Sequence, residues 1–216
     1  MHKKTVLIII SVLIWITLAC SESIFVKPSP TVGNDQVLFQ DDFSDPSSGW
    51  LTERDEDHII DYENGSFRIW GNRSQFDYWS ITNLNFGDVR IEVDATKLGG
   101  PDNNSYGIIC RYNQENFYGF IISSDGYYGI SKRKIGDHQI IGAEGMKTSP
   151  VIQKGAATNH IRADCIGNVL TLYINGEKLQ EVTDSEFTLG DVGLLAGSFD
   201  VGGIDIRFSH FQVLKP

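Results

Sequence analysis

Glu92 and Asp94 stand two residues apart in the run Asp88-Val89-Arg90-Ile91-Glu92-Val93-Asp94-Ala95-Thr96, whose strict alternation predicts a β-strand. Val89, Ile91, Val93 and Ala95 share one face, and Arg90, Glu92, Asp94 and Thr96 share the other, so both carboxylates project from a water-facing surface. Neighbouring runs carry two guanidinium groups, Arg111 and Arg162, expected on the same water-facing side, and two phenol rings, Tyr118 and Tyr173. Such a set suits a pyranose, whose apolar ring faces rest on flat aromatic rings while its hydroxyl edges meet planar hydrogen-bonding groups. Trp50, Trp70, Trp79 and Tyr128 supply further rings, although aromatic residues in a sheet protein serve more often as core or cross-strand partners. A nucleophile elbow, a phosphate loop and a dinucleotide fingerprint are all absent. The five histidines are scattered and the cysteines lack CxxC spacing, so no zinc site is expected.

The elements that must position these groups are strands throughout. From Val37 onward, runs rich in Val, Ile, Tyr and Phe are broken by Gly, Asn and Asp at about the 8 to 12 residue spacing of a sandwich or barrel, and no window holds a helical period. His160 to Cys165 repeats the alternation, with Ile161, Ala163 and Cys165 inward and His160, Arg162 and Asp164 outward. Val169 to Ile174 and Glu177 to Val182 flank Asn175-Gly176, the strongest short hairpin signal. Tyr106 to Tyr112, Phe117 to Ile122 and Tyr127 to Lys132 form a hairpin-linked meander. Further strands are expected at Leu38 to Phe43, Ser66 to Trp70, Tyr78 to Thr82, Val192 to Ala196 and Ile204 to Val213. About a dozen antiparallel strands imply two stacked sheets.

Of 216 residues, 18 are Lys or Arg and 28 Asp or Glu, a net charge of −10. So acidic a chain repels phosphate backbones, which argues against nucleic acid as a partner. Residues 1–19 open with His2-Lys3-Lys4, continue as an apolar run of about 14 residues, and end at Leu18-Ala19 before Cys20. A run this short falls below the roughly 20 residues that span a bilayer and has the layout of a signal peptide. The Leu-Ala-Cys ending resembles a bacterial lipobox, with Thr17 a departure from its usual aliphatic residue. The resemblance implies cleavage before Cys20, lipidation of its sulfur and anchoring of the chain to the outward side of a bacterial cell envelope; the alternative is an ordinary secretory signal and a secreted chain. Residues 20–36, with Pro28-Ser29-Pro30, read as a tether, and residues 37–216 as the folded domain. With Cys20 set apart, Cys110 and Cys165 form an even pair on predicted strands of an exported domain, which argues for a disulfide; two buried free thiols are the alternative.

The ordered set Gly107-Ile108-Ile109-Cys110-Arg111-Tyr112, Asn116-Phe117-Tyr118, Asp125-Gly126-Tyr127-Tyr128, Asn159-His160-Ile161-Arg162 and Leu172-Tyr173-Ile174-Asn175-Gly176 resembles the concanavalin A-like jelly rolls. It resembles in particular a bacterial extracytoplasmic family labelled keto-disaccharide hydrolase or family-sixteen-like glycoside hydrolase. Phe39 to Pro46 with Gly49-Trp50, and Phe208 to Val213, carry the likeness to both ends of residues 37–216. It implies an all-β, concanavalin A-like jelly-roll β-sandwich of two antiparallel sheets. Related glycanases carry a strand motif Glu-x-Asp-x-x-Glu whose carboxylates flank the scissile bond. Here Glu92-Val93-Asp94-Ala95-Thr96-Lys97 ends in Lys97 where the general acid belongs, and alternation turns Lys97 to the other face. Family members also bind calcium near the first and last strands; Ser209 replaces the expected Asp, and Asp41, Asp42, Asp45 and Asp205 are the residues left for such an ion. No other cofactor is implied.

The leading expectation is therefore a lipid-anchored, non-catalytic module that binds glycan or another extracellular ligand through Arg111, Arg162, Glu92, Asp94, Tyr118 and Tyr173. A hydrolase of modified disaccharides or glycans is the alternative, and a structural or adhesion module of the envelope the second.

Overall fold

The run from Val89 to Thr96 folds as its alternation requires. In a computed structural model, which describes residues 36–216, Val89, Ile91, Val93 and Ala95 are at most 1% exposed while the intervening polar residues are half-buried. The signal segment, Cys20 and most of the tether lie outside the described residues.

Sixteen strands form two antiparallel sheets, and no helix occurs among the described residues. The first sheet contains β1 (Val37–Asp41), β2 (Glu53–Arg54), β3 (His58–Tyr62), β4 (Phe67–Gly71), β6 (Val89–Gly99), β12 (Thr158–Ile166), β13 (Val169–Ile174), β14 (Glu177–Thr183) and β16 (Ile204–Leu214). Its order is β14-β13-β12-β6-β16-β4-β3-β2, with β1 also paired to β16. The second sheet contains β5 (Phe76–Ile81), β7 (Asn104–Asn113), β8 (Asn116–Ile122), β9 (Tyr127–Lys134), β10 (Asp137–Ile141), β11 (Lys147–Thr148) and β15 (Asp191–Ser198). It runs β10-β9-β8-β7-β15-β5, with β11 on β9. The meander expected from Tyr106 to Lys132 is the β7-β8-β9 stretch.

Between the sheets lies one continuous core that includes Phe67, Ile69, Ile108, Phe120, Ile161, Leu172, Leu194 and Phe208, all at 0% exposure. Burial of each such side chain stabilises by about 1.5 to 3 kcal/mol. Cys110 on β7 and Cys165 on β12 are disulfide-bonded, which ties the two sheets together through this core. The hairpin at Asn175-Gly176 joins β13 to β14 with both residues at positive φ, 51° and 86°, as a primed turn requires.

Four strands went unread in the sequence. β2 and β11 are two residues long, β10 (Asp-His-Gln-Ile-Ile) carries its polar residues first, and β3 is half-buried with no clear alternation.

Candidate functional site

Strand register assembles the outer face of the nine-stranded sheet. Arg162 pairs with Glu92 across β12 and β6, Arg162 with Tyr173 across β12 and β13, and Gln212 with Glu92 across β16 and β6. Gln40 on β1 faces Gln212. One row across five strands thus reads Tyr173, Arg162, Glu92, Gln212, Gln40. The next row places His160 opposite Asp94, and a bulge between Ser209 and Gln212 brings His210 to the same carboxylate.

The contacts in these rows are direct. The Arg162 guanidinium lies 4.3 Å from the Tyr173 ring centroid and donates to both oxygens of Asp164, at 2.8 and 2.6 Å, so its plane is fixed from two sides. Gln212 Nε2 donates to Glu92 Oε2 at 2.9 Å. His160 Nε2 lies 3.7 Å from Glu92, and its Nδ1 lies 2.8 Å from Asp94 Oδ1. His210 Nδ1 meets Asp94 Oδ2 at 3.0 Å. Glu92 and Asp94 together hold the His160 imidazole above its ordinary titration range, against the opposing effect of burial. His160 and Gln212 in turn draw the Glu92 carboxyl below its ordinary range. Glu92 is therefore ionised near neutral pH and cannot donate a proton there, and Asp94 has each oxygen engaged by a histidine.

Beside these rows a cleft of about 570 Å³ opens toward the loop after β1, lined by Gln40, Asp42, Asp45, Ser48, His160, His210 and Gln212 among others. That volume is in the range of small-molecule sites. Asp41 sets the loop's shape: its carboxylate accepts Phe43 N–H at 2.7 Å, Trp50 Nε1–H at 2.9 Å and the Ser48 hydroxyl. Asp42 and Asp45 cap Ser44 and Ser47 in the same loop, whereas Asp205 accepts both ends of the Arg68 guanidinium at 2.9 and 2.8 Å. The four carboxylates considered for calcium are thus each held by donors of the chain itself. Among the described residues no group of three His, Cys, Asp or Glu side chains is arranged to hold a metal ion. Lys97 points into the sandwich, 7% exposed, and pairs with Asp102.

Four of the six residues expected at the site, Glu92, Asp94, Arg162 and Tyr173, are brought together here. Arg111 and Tyr118 are not, and both expectations are corrected. Arg111 is 2% exposed. It sits at a register shift between Cys110 and Asn113 with φ 54°, so alternation breaks and its side chain follows Cys110 inward. Its guanidinium donates to Phe187 O at 2.8 Å, Asp88 Oδ1 at 3.2 Å and Cys165 O at 3.4 Å. Tyr118 shares the core face of β8 with Phe120 and Ile122. Its hydroxyl donates to Asp184 at 2.5 Å and accepts Phe187 N–H at 3.1 Å, and burial with the adjacent carboxylate pushes it up to about 12. Both residues fasten the segment around Phe187. Trp50 is also core, at 5% exposure. Trp79 lies on the outer face of the seven-stranded sheet beside Arg133, whose guanidinium is 5.0 Å from its ring. That face carries a second apolar cluster of Ile109, Phe117, Ile121 and Leu195.

His210 and Gln212 were missed because the bulge is invisible to strict alternation. A signal did exist: the apolar residues Ile204, Ile206 and Phe208 step by two, then Phe211 and Val213 resume one residue late.

No family model matches the chain, and no curated protein matches it. Solved structures do. A carbohydrate binding module, CBM66, from Bacillus subtilis superposes with a TM-score of 0.60 at 18% identity, over 78% of this chain and 96% of that one. A Bacillus subtilis protein of unknown function with a galectin-like fold gives 0.62 at 11% identity, over 83% and 96%. A GlcNAcα1-4Gal-releasing endo-β-galactosidase from Clostridium perfringens gives 0.60 at 12% identity, over 84% of this chain and 63% of the enzyme. At these identities the likeness shows a shared fold, the jelly-roll β-sandwich.

Proposed function

We propose that this chain is a non-catalytic glycan-binding module displayed on the outward side of a bacterial cell envelope by a lipid on Cys20. The observation that carries the binding reading is the outer face of the nine-stranded sheet, where a guanidinium fixed over a phenol ring adjoins carboxylates, imidazoles and an amide, beside an open cleft. Planar donors and acceptors held in place before binding are what hydroxyl-rich ligands reward, since little ordering remains to be imposed. The shared fold with a carbohydrate binding module and with a glycan-releasing enzyme supports a ligand of this class. Against hydrolysis through this face stands the general-acid position, which is filled by Lys97, 7% exposed and paired with Asp102, so no carboxylic acid is left there to protonate a leaving group. The inter-sheet disulfide supports an oxidising, extracytoplasmic location.

A glycan array tests the reading. The chain should capture a restricted set of glycans, and Arg162→Ala should weaken each capture by about tenfold, the worth of one charge-assisted hydrogen bond. An array with no glycan above background would overturn it, as would one on which Arg162→Ala has no effect.

A further inference from the structure

A second surface at one end of the sandwich has the composition of a sugar pocket and lies apart from the rows of the nine-stranded sheet. Three connections meet there: residues 100–103 between β6 and β7, residues 123–126 between β8 and β9, and residues 199–203 between β15 and β16. With Tyr127 at the start of β9 and Met146 in the connection between β10 and β11, they border an open hollow of about 380 Å³ lined by Asn103, Ser123, Asp125, Tyr127, Met146 and Phe199. Tyr127 and Phe199 are 41% and 37% exposed, large for aromatic rings beside a common hollow.

The polar groups are fixed in place. Asp125 N–H donates to Asp102 O at 3.1 Å, Ser123 N–H to Tyr127 O at 2.8 Å and Gly126 N–H to Ser123 O at 2.9 Å. The Ser123 hydroxyl donates to Asp125 Oδ1 at 2.5 Å, and Asn103 Nδ2 donates to Asp200 at 3.0 Å. Gln75 N–H donates to Phe199 O at 2.8 Å, which anchors the backbone behind that ring. These bonds leave Asp125 Oδ2 and Asn103 Oδ1 as acceptors with no donor among the described residues. Two open acceptors on residues that line the same hollow as two exposed rings and a methionine are complementary to a ring with apolar C–H faces and hydroxyl donors at its edge. A carboxylate stands in the lining and no cationic side chain does; the ammonium groups of Lys97, paired with Asp102, and of Lys154, beside Gly126, lie outside it, so the lining itself favours a neutral ring over an anionic one.

From these features we infer that the loop end is a second binding site, for one neutral pyranose unit, with Tyr127 and Phe199 against the ring faces and Asp125 and Asn103 accepting from its hydroxyls. The inference does not depend on the function proposed for the nine-stranded sheet.

Saturation-transfer NMR of the full chain tests it, with the methyl β-glycosides of glucose, galactose, mannose and xylose as probes. Transfer to ring C–H protons of at least one glycoside is expected. Phe199→Ala, Tyr127→Ala and Asp125→Asn should each reduce it by about tenfold, and Tyr127→Phe, which keeps the ring, should restore it. Because the rings are exposed, thermal unfolding of these variants should match the parent, which separates lost binding from lost folding. Absence of transfer with all four glycosides would overturn the inference, as would transfer that survives Phe199→Ala and Tyr127→Ala combined. Transfer abolished by Arg162→Ala but retained in Phe199→Ala would put the sugar on the nine-stranded sheet; that result overturns this site while sustaining the earlier proposal.

Discussion

Removing the bond between Cys110 and Cys165 should lower stability by an amount set by chain length. The two residues are 55 apart in sequence, and for a loop of that size the chain-entropy model gives about 4 kcal/mol at 25 °C. Both side chains are fully buried, so the double variant Cys110→Ala, Cys165→Ala adds a small packing loss of the same sign. In a domain of this size each kcal/mol corresponds to about 2 to 4 °C, which places the melting midpoint about 8 to 16 °C below the parent. Differential scanning calorimetry of parent and variant without reductant measures it. Iodoacetamide labelling of the denatured, non-reduced parent provides the second readout, and Cys110 and Cys165 should both remain unlabelled. A shift under about 2 °C would refute the magnitude, and label on either cysteine would refute the bond itself.

Two further outcomes follow from the contacts described, and a third from the lipid anchor proposed on Cys20. Tyr118→Phe removes one hydroxyl that serves both Asp184 and Phe187 and should cost about 1 to 2 kcal/mol, while Arg111→Ala, which orphans buried carbonyls, should cost about 2 to 4; urea unfolding measures both, and glycan affinity should not change because neither side chain reaches the surface. The His160 ring proton, followed by NMR, should titrate above the ordinary 6.5 and return toward it in Glu92→Gln or Asp94→Asn. The sign is fixed: a raised imidazole stabilises fully below pH 6.5 and loses that contribution as pH rises through its folded midpoint, whereas the lowered Glu92 contributes above about 4.5 and loses it as pH falls, so the pair contributes most between those values. A His160 midpoint at or below 6.5 would show that the carboxylates do not hold it. Finally, Cys20→Ser should shift the chain out of the detergent-soluble membrane fraction, and palmitate label persisting in that variant would exclude Cys20 as the acceptor.

Much of this arrangement could be read from the residues because a half-buried strand writes its two faces into alternate positions. Val89 to Thr96, His160 to Cys165 and Val169 to Ile174 obey that rule, and their registry delivers Glu92, Asp94, Arg162 and Tyr173 to one surface. Arg111 departs from it because a bulge with positive φ repeats the inward direction of Cys110, an event no residue type in the run announces. Tyr118 was misplaced for a different reason: β8 alternates legibly, but its inward set is Tyr118, Phe120 and Ile122, and a phenol able to satisfy its hydroxyl on Asp184 is as much at home inside as a phenylalanine. His210 and the acidic loop after β1 reach the site through a bulge and a turn, where spacing along a single strand carries no information about what lies opposite. The loop-end pocket is likewise a product of four connections that are remote in sequence.

Hydrogen–deuterium exchange of the full chain, free and saturated with its strongest glycan from the array, tests the central claim most directly. Slowed exchange should include residues 90–94, 160–164, 171–175 and 209–213, together with the loop 41–48 that borders the cleft, and any further protection should fall at the loop end, in residues 100–103, 123–127 and 199–203. Protection restricted to the outer face of the seven-stranded sheet, or no protection at saturation, would contradict the assignment of the binding face.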